Sequence, residues 1–78
     1  MAEVTLVSSE FCAPCKELKR RLERLGVKFR EIKVETKEGR ELIKSYDLRA
    51  VPATIIRKEK KEIVLVGLPP EEELRRYL

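Results

Sequence analysis

The chain has no asparagine, glutamine, histidine or tryptophan, one methionine, three glycines and two cysteines among its 78 residues. Without histidine, two cysteines cannot complete a four-ligand zinc site within one chain. The missing amides, set beside abundant lysine, arginine and glutamate, match the composition of hyperthermophile proteins. Designed sequences share that composition, because Lys and Glu surfaces are favoured in design. No apolar run approaches the ~18 residues needed to cross a membrane, so no membrane partner is expected. The opening residues Met1-Ala2-Glu3-Val4-Thr5 lack a basic region followed by an apolar stretch, so a cytoplasmic location is expected. Linkers, low-complexity stretches and internal repeats are also missing.

Hydrophobic residues make up 42% of the chain, enough for a globular core. The length suits one domain spanning residues 1–78, near the lower limit for a single core, and a monomer is expected. Charge is heavy but mixed: 18 Lys+Arg against 14 Asp+Glu, a net of +4. A nucleic-acid binder gathers positive charge on one face with aromatics beside it, and no such partner is expected here. The densest basic stretch, Arg57-Lys58-Glu59-Lys60-Lys61, is broken by an acid. It suits a solvated hairpin loop, or alternatively a patch that steers acidic partners.

Val4-Thr5-Leu6-Val7 is β-branched and apolar on both faces, the pattern of a buried central strand. Cys15, Leu18, Leu22 and Leu25 recur at i, i+3, i+7 and i+10, one stripe of a helix with Gly26 as its terminator. Val27–Val34 follows as a strand whose alternation breaks near Glu31. Thr36 can cap a second helix with Leu42, Ile43 and Tyr46 inward, although Gly39 inside it costs ~1 kcal/mol relative to Ala. Ala53–Ile56 and Ile63–Val66 form a hairpin across the charged loop. Pro70 fits the first position of a last helix, Glu71, Glu72 and Glu73 suit its dipole, and Leu74, Tyr77 and Leu78 form its buried face. The order β-α-β-α-β-β-α predicts an α/β fold with a mixed four-stranded sheet flanked by three helices.

Both cysteines fall in one C-x-x-C, Cys12-Ala13-Pro14-Cys15. As a structural staple it is poor, since it closes too short a loop to tie distant segments together. Between a strand and a helix start, the first thiol faces unpaired N–H groups and the positive end of the helix dipole. Both favour thiolate over thiol. Cys12 is therefore expected to be exposed and nucleophilic, and Cys15, one turn further in, to be buried and to resolve the mixed disulfide. Lys16 adds positive charge nearby and Glu10 opposes it. Pro14 is tolerated in a first helical turn. A second signal is Val51-Pro52, directly before a strand. A cis bond would turn the chain sharply into that strand, while a trans proline at a strand's first residue is also common.

Together these features resemble the thioredoxin/glutaredoxin superfamily across nearly the whole chain. Phe11-Cys12-Ala13-Pro14-Cys15-Lys16 is similar to the thioredoxin redox motif, with Ala13 in place of the usual Gly. Tyr46–Thr54 resembles the stretch leading into the family's cis-proline, and Val66-Gly67-Leu68-Pro69 its turn into the last helix. The size and the run Leu22–Phe29 are closer to a glutaredoxin. The overall similarity is to short archaeal-type thioredoxin-like proteins. The resemblance implies a thioredoxin-like fold and a thiol–disulfide oxidoreductase. In it Cys12 attacks, Cys15 resolves, and Pro52 lies against the dithiol. The backbone of Val51 pairs with the substrate chain, a case of strand addition. Phe11, Ala13, Pro14 and Gly67 complete the implied substrate-binding set. The implied partners are disulfide-containing proteins and an upstream reductase, with no cofactor beyond the dithiol and no metal.

Two departures from the family pattern stand out. Many thioredoxins carry a buried Asp six residues before the nucleophile, where this chain has Leu6. Glutathione-using glutaredoxins typically have Gly-Gly and an acid after the last strand, where this chain has Gly67-Leu68-Pro69. A protein disulfide is therefore expected over glutathione as substrate. The alternatives are a glutathione-linked glutaredoxin, a Cu(I) or Fe–S transfer module built on the soft thiolates, and a designed or reconstructed scaffold that keeps the dithiol from its template.

Overall fold

The structure, a computed structural model, describes residues 2–78; Met1 lies outside them. The elements run β1 (Ala2–Ser8), α1 (Ala13–Arg24), β2 (Arg30–Lys33), α2 (Lys37–Tyr46), β3 (Ala53–Lys58), β4 (Lys61–Val66) and α3 (Glu71–Tyr77). The strands form one sheet in the order β2-β1-β3-β4. β1 and β2 are parallel, and β3 is antiparallel to both β1 and β4. This is the mixed sheet and element order of the thioredoxin-like fold that the sequence predicts.

β1 lies inside the sheet and is buried from Val4 to Ser8, which is why both of its faces are apolar. On one face Leu6 packs with Leu18 and Leu22 of α1 and Leu74 of α3, all fully buried. On the other, Val7, Ala53 and Ile55 pack with Leu48 and with Leu42, Ile43 and Tyr46 of α2. Thr54, on the α1 face opposite Leu6, is fully buried, and its hydroxyl has no hydrogen-bond partner among the described residues.

Several boundaries differ from the sequence expectation. β2 covers only Arg30–Lys33 instead of Val27–Val34. The reason is the way α1 ends. Val27 N–H bonds to the Leu22 carbonyl at 3.2 Å and Gly26 N–H to that of Glu23 at 3.0 Å, with Gly26 at φ +71. This closing motif uses Val27 in the turn, so pairing with β1 starts three residues later. The β3–β4 hairpin turns on Glu59-Lys60 alone, with Lys58 paired to Lys61. Backbone pairing is indifferent to side-chain polarity on an exposed edge, so the charged residues prolong both strands. Pro70 is the N-cap of α3, one residue before the position expected for it.

α2 starts as expected, with Thr36 Oγ1 accepting the Gly39 N–H at 3.0 Å. Gly39 itself is explained by packing. A Cβ there would run into the carbonyl of Lys33 and the backbone of Val34, so the chain leaving β2 needs the glycine.

Candidate functional site

Cys12 sits where extended chain becomes helix. Its backbone is extended (φ −129, ψ 104), it is the N-cap of α1, and its Sγ accepts the Cys15 N–H at 3.1 Å. A sulfur thus takes the place a Ser or Asp oxygen fills at most helix starts. Its carbonyl accepts the Lys16 N–H at 3.2 Å. Cys12 and Cys15 are joined as a disulfide. Cys15 is buried at 2% exposure, on the helix stripe shared with Leu18 and Leu22. Cys12 is half-buried, less open than the sequence suggested, because its sulfur is turned onto the helix end and bonded to Cys15. Ala13, Pro14 and Lys16 are exposed, and no acidic residue occupies the first turn of α1.

The sheet brings the other site residues to the same end. Val7 pairs with Ala53 and Ala53 with Val66. Pro52 and Gly67, one residue beyond those pairs, therefore stand level with the end of β1 that leads to Cys12. The Val51–Pro52 peptide is cis and Pro52 is fully buried. The Gly67 N–H bonds to the Pro52 carbonyl at 2.8 Å, with Gly67 at φ +94. That left-handed backbone is open to glycine at no steric cost. Phe11, next to Cys12, is 93% exposed, and Val66 is also exposed. An open apolar groove of about 250 Å³ runs beside Val51, lined by Val34, Ile43, Leu48, Arg49 and Ala50.

One pair escaped the sequence reading. Ser8 is fully buried, and its Oγ donates to Glu31 Oε2 at 2.8 Å. Glu31 Oε1 lies 3.1 Å from Lys19 Nζ, and Oε2 lies 3.4 Å from Lys33 Nζ. Burial works to raise the Glu31 pKa. The hydrogen bonds from Ser8 and Lys19 and the charges of Lys19 and Lys33 outweigh it and hold the carboxyl below its usual range. The break in alternation at Glu31 was the only sequence signal for this pair.

A second polar network lies on the exposed α2 face near the hairpin. Tyr46 OH donates to Glu62 Oε2 at 2.6 Å, and Arg57 donates to both at 2.8 Å. The Tyr46 hydroxyl and then Arg57 hold Glu62 below the usual carboxylate range. This network sits several residues along β3 and β4 from the dithiol end. Among the described residues no group of three or more His, Cys, Asp or Glu side chains is placed to hold a metal ion.

The glutaredoxin family model matches residues 4–61. No curated protein gives a significant sequence match. Among solved structures, the thioredoxin-like protein BC3987 superposes with a TM-score of 0.80 at 26% identity, covering 97% of this chain and 100% of that one. Thioredoxin from Fasciola hepatica superposes with a TM-score of 0.75 at 26% identity, covering 96% of this chain and 75% of that one. A mutant thioredoxin from Halobacterium salinarum NRC-1 shares the fold with a TM-score of 0.79 at 24% identity, covering 96% and 69%.

Proposed function

The chain belongs to the glutaredoxin family, and from that premise we propose that it reduces disulfide bonds in protein substrates through Cys12 and Cys15. The observation that carries the proposal is the dithiol at the start of α1, with a half-buried sulfur as N-cap and a buried one a turn inside. In the reduced protein the Cys12 thiolate is stabilised by the N–H groups and dipole of the helix end. It attacks one sulfur of the substrate disulfide. The substrate S–S bond breaks, its other sulfur leaves as a thiolate, and a Cys12 mixed disulfide forms. Cys15 then attacks Cys12 Sγ, the second substrate sulfur leaves, and the protein is left with the Cys12–Cys15 disulfide. Two electrons from an upstream reductant restore the dithiol. The pair itself carries the electrons, so the exchange calls for no other cofactor.

The surroundings favour an extended polypeptide as substrate. Val51 lies just outside the β1–β3 register, which ends at Ala53. In this reading its backbone pairs with a substrate strand laid across the site. Phe11 and the groove beside Val51 offer apolar contact to side chains flanking a substrate cysteine. The family match favours one second reading, reduction of glutathione mixed disulfides. Gly67-Leu68-Pro69, with a single glycine and no following acid, weighs against it. A reducing compartment such as the cytoplasm would suit either reaction.

Reduction of insulin by dithiothreitol, followed as turbidity, tests the proposal. The parent should accelerate precipitation severalfold over Cys12→Ser. Equal rates would reject protein-disulfide reduction. Faster turnover of a glutathione–cysteine mixed disulfide than of insulin would favour the second reading.

A further inference from the structure

Residues 67–70 link β4 to α3 and pass beside the cis-proline, where the Gly67 N–H bonds to the Pro52 carbonyl at 2.8 Å. The geometry points to Arg21 of α1 as the positioning residue that fixes this loop for a protein substrate. The inference rests on the protein-disulfide reading above.

The loop has few backbone groups with which to hold itself. Pro69 and Pro70 have no N–H. The Pro70 carbonyl accepts from Glu73 and Leu74, inside the start of α3. Pro69 is buried, and its carbonyl needs a donor there. Arg21 supplies it, with Nη1 donating to the Pro69 carbonyl at 2.8 Å. Among the described residues this is the one hydrogen bond from residues 68–70 to anything other than α3. The other side of the same guanidinium is held too. Its Nε donates to Glu17 Oε2 at 3.3 Å, one turn earlier on α1. A planar fork can serve a carboxylate and a carbonyl at once in a fixed geometry, which an ammonium cannot. The Arg21 side chain is 25% exposed, less than half the exposure of Arg20 or Arg24 beside it.

The helix that carries Arg21 also carries the dithiol. Cys12 is its N-cap, and Arg21 follows nine residues later, about two and a half turns. The Arg21–Pro69 bond therefore ties the loop to the body that holds Cys12. The Gly67–Pro52 bond ties the loop's other end to the cis-proline. Leu68, 37% exposed, stands between the two anchored residues. A loop held on both sides of an exposed apolar residue is ordered before the substrate arrives, so less ordering is left to be done on binding. Arg21 thus lowers the concentration of protein substrate needed and leaves the sulfur chemistry alone.

Single-turnover oxidation of the reduced protein by insulin tests this, with N-ethylmaleimide quenching and mass spectrometry of the product. Rates over a range of insulin concentrations give a half-saturating concentration and a maximum rate. Arg21→Met keeps the apolar stem and removes the donors. It should raise the half-saturating concentration about fivefold to tenfold, as for a loop in its binding form roughly a tenth to a fifth of the time. The maximum rate should stay within about twofold, the mark of lost binding. Arg21→Lys keeps the charge but not the fork, and should raise the half-saturating concentration at least about twofold. It carries the test if Arg21→Met does not fold. Arg20→Met, which loses a bond to the same Glu17 but none to the loop, should behave as the parent. Ellman's reagent is too small to span the dithiol and the loop, and should react with every variant at the parental rate.

Parental half-saturation in both Arg21 variants would overturn the proposal. So would equal slowing towards insulin and Ellman's reagent, which marks a disturbed α1, or a rise in Arg20→Met equal to that in Arg21→Met, which marks a general effect of charge. A parent that reacts with Ellman's reagent but not with insulin would remove the protein-substrate reading, and this proposal with it.

Discussion

At the scale of single residues, the dithiol was legible because its spacing is local. Four consecutive residues carry both sulfurs, and the strand before and helix after them follow from nearby patterns. The Ser8–Glu31 pair was not legible. Its partners are 23 positions apart and meet through the register of β1 with β2, which composition does not encode. The pair carries a prediction about acid stability. The folded state holds the Glu31 carboxyl below its ordinary value, so between the two values the unfolded chain binds more protons. Glu31 therefore stabilises the fold above about pH 4.3, the ordinary Glu value, and that stabilisation is lost as pH falls through the folded value. Thermal melts of parent and Glu31→Gln should differ at pH 6, and the gap should narrow as pH falls below the ordinary Glu value. A gap that stayed constant over that range would remove the assignment. Thr54 gives a second prediction. Its buried hydroxyl lacks a partner, and such a group costs roughly 1–3 kcal/mol. Thr54→Val should raise the urea midpoint by the equivalent of about 1 kcal/mol, with an unchanged m value.

At the scale of elements, type and order were legible and ends were not. Apolar periodicity marks where an element must be buried, whereas its ends depend on hydrogen bonds. β2 lost its first three expected residues to the closing turn of α1, and the hairpin gained charged residues from its expected loop. Gly39 shows the same limit in reverse. Propensity alone reads it as a weak point in α2, yet the close approach of Lys33 and Val34 requires it. Gly39→Ala should therefore destabilise the protein by about 1–3 kcal/mol, an overpacking cost. At an ordinary helix position the same change would stabilise it by up to ~1 kcal/mol. Chemical denaturation distinguishes the two signs.

At the scale of the whole molecule, one sheet separates two apolar clusters, with α1 and α3 on one side and α2 on the other. The α1 cluster seats the helix whose first turn holds the dithiol. Stability and chemistry are therefore linked through Leu18, which is fully buried three residues after Cys15. Leu18→Ala should cost about 2–5 kcal/mol, a large part of the stability of a small domain. Equilibrium unfolding measures it, and a loss below 1 kcal/mol would mean that α1 is held mainly by its ends. The mixed four-stranded sheet with flanking helices was legible from element order, and the thioredoxin-like fold from the family resemblance of the stretches around Cys12, Pro52 and Gly67. The placing of Pro52 and Gly67 level with the end of β1 that leads to Cys12 came from the registers of β1, β3 and β4.

The central claim is that Cys12 attacks a protein disulfide and Cys15 releases it. Mass spectrometry of covalent adducts after mixing reduced variants with oxidised insulin tests it most directly. Cys15→Ser should accumulate a mixed disulfide through Cys12, Cys12→Ser should trap none, and the parent should leave only reduced insulin chains and its own disulfide. Equal trapping by both variants, or trapping through Cys15 alone, would contradict the account.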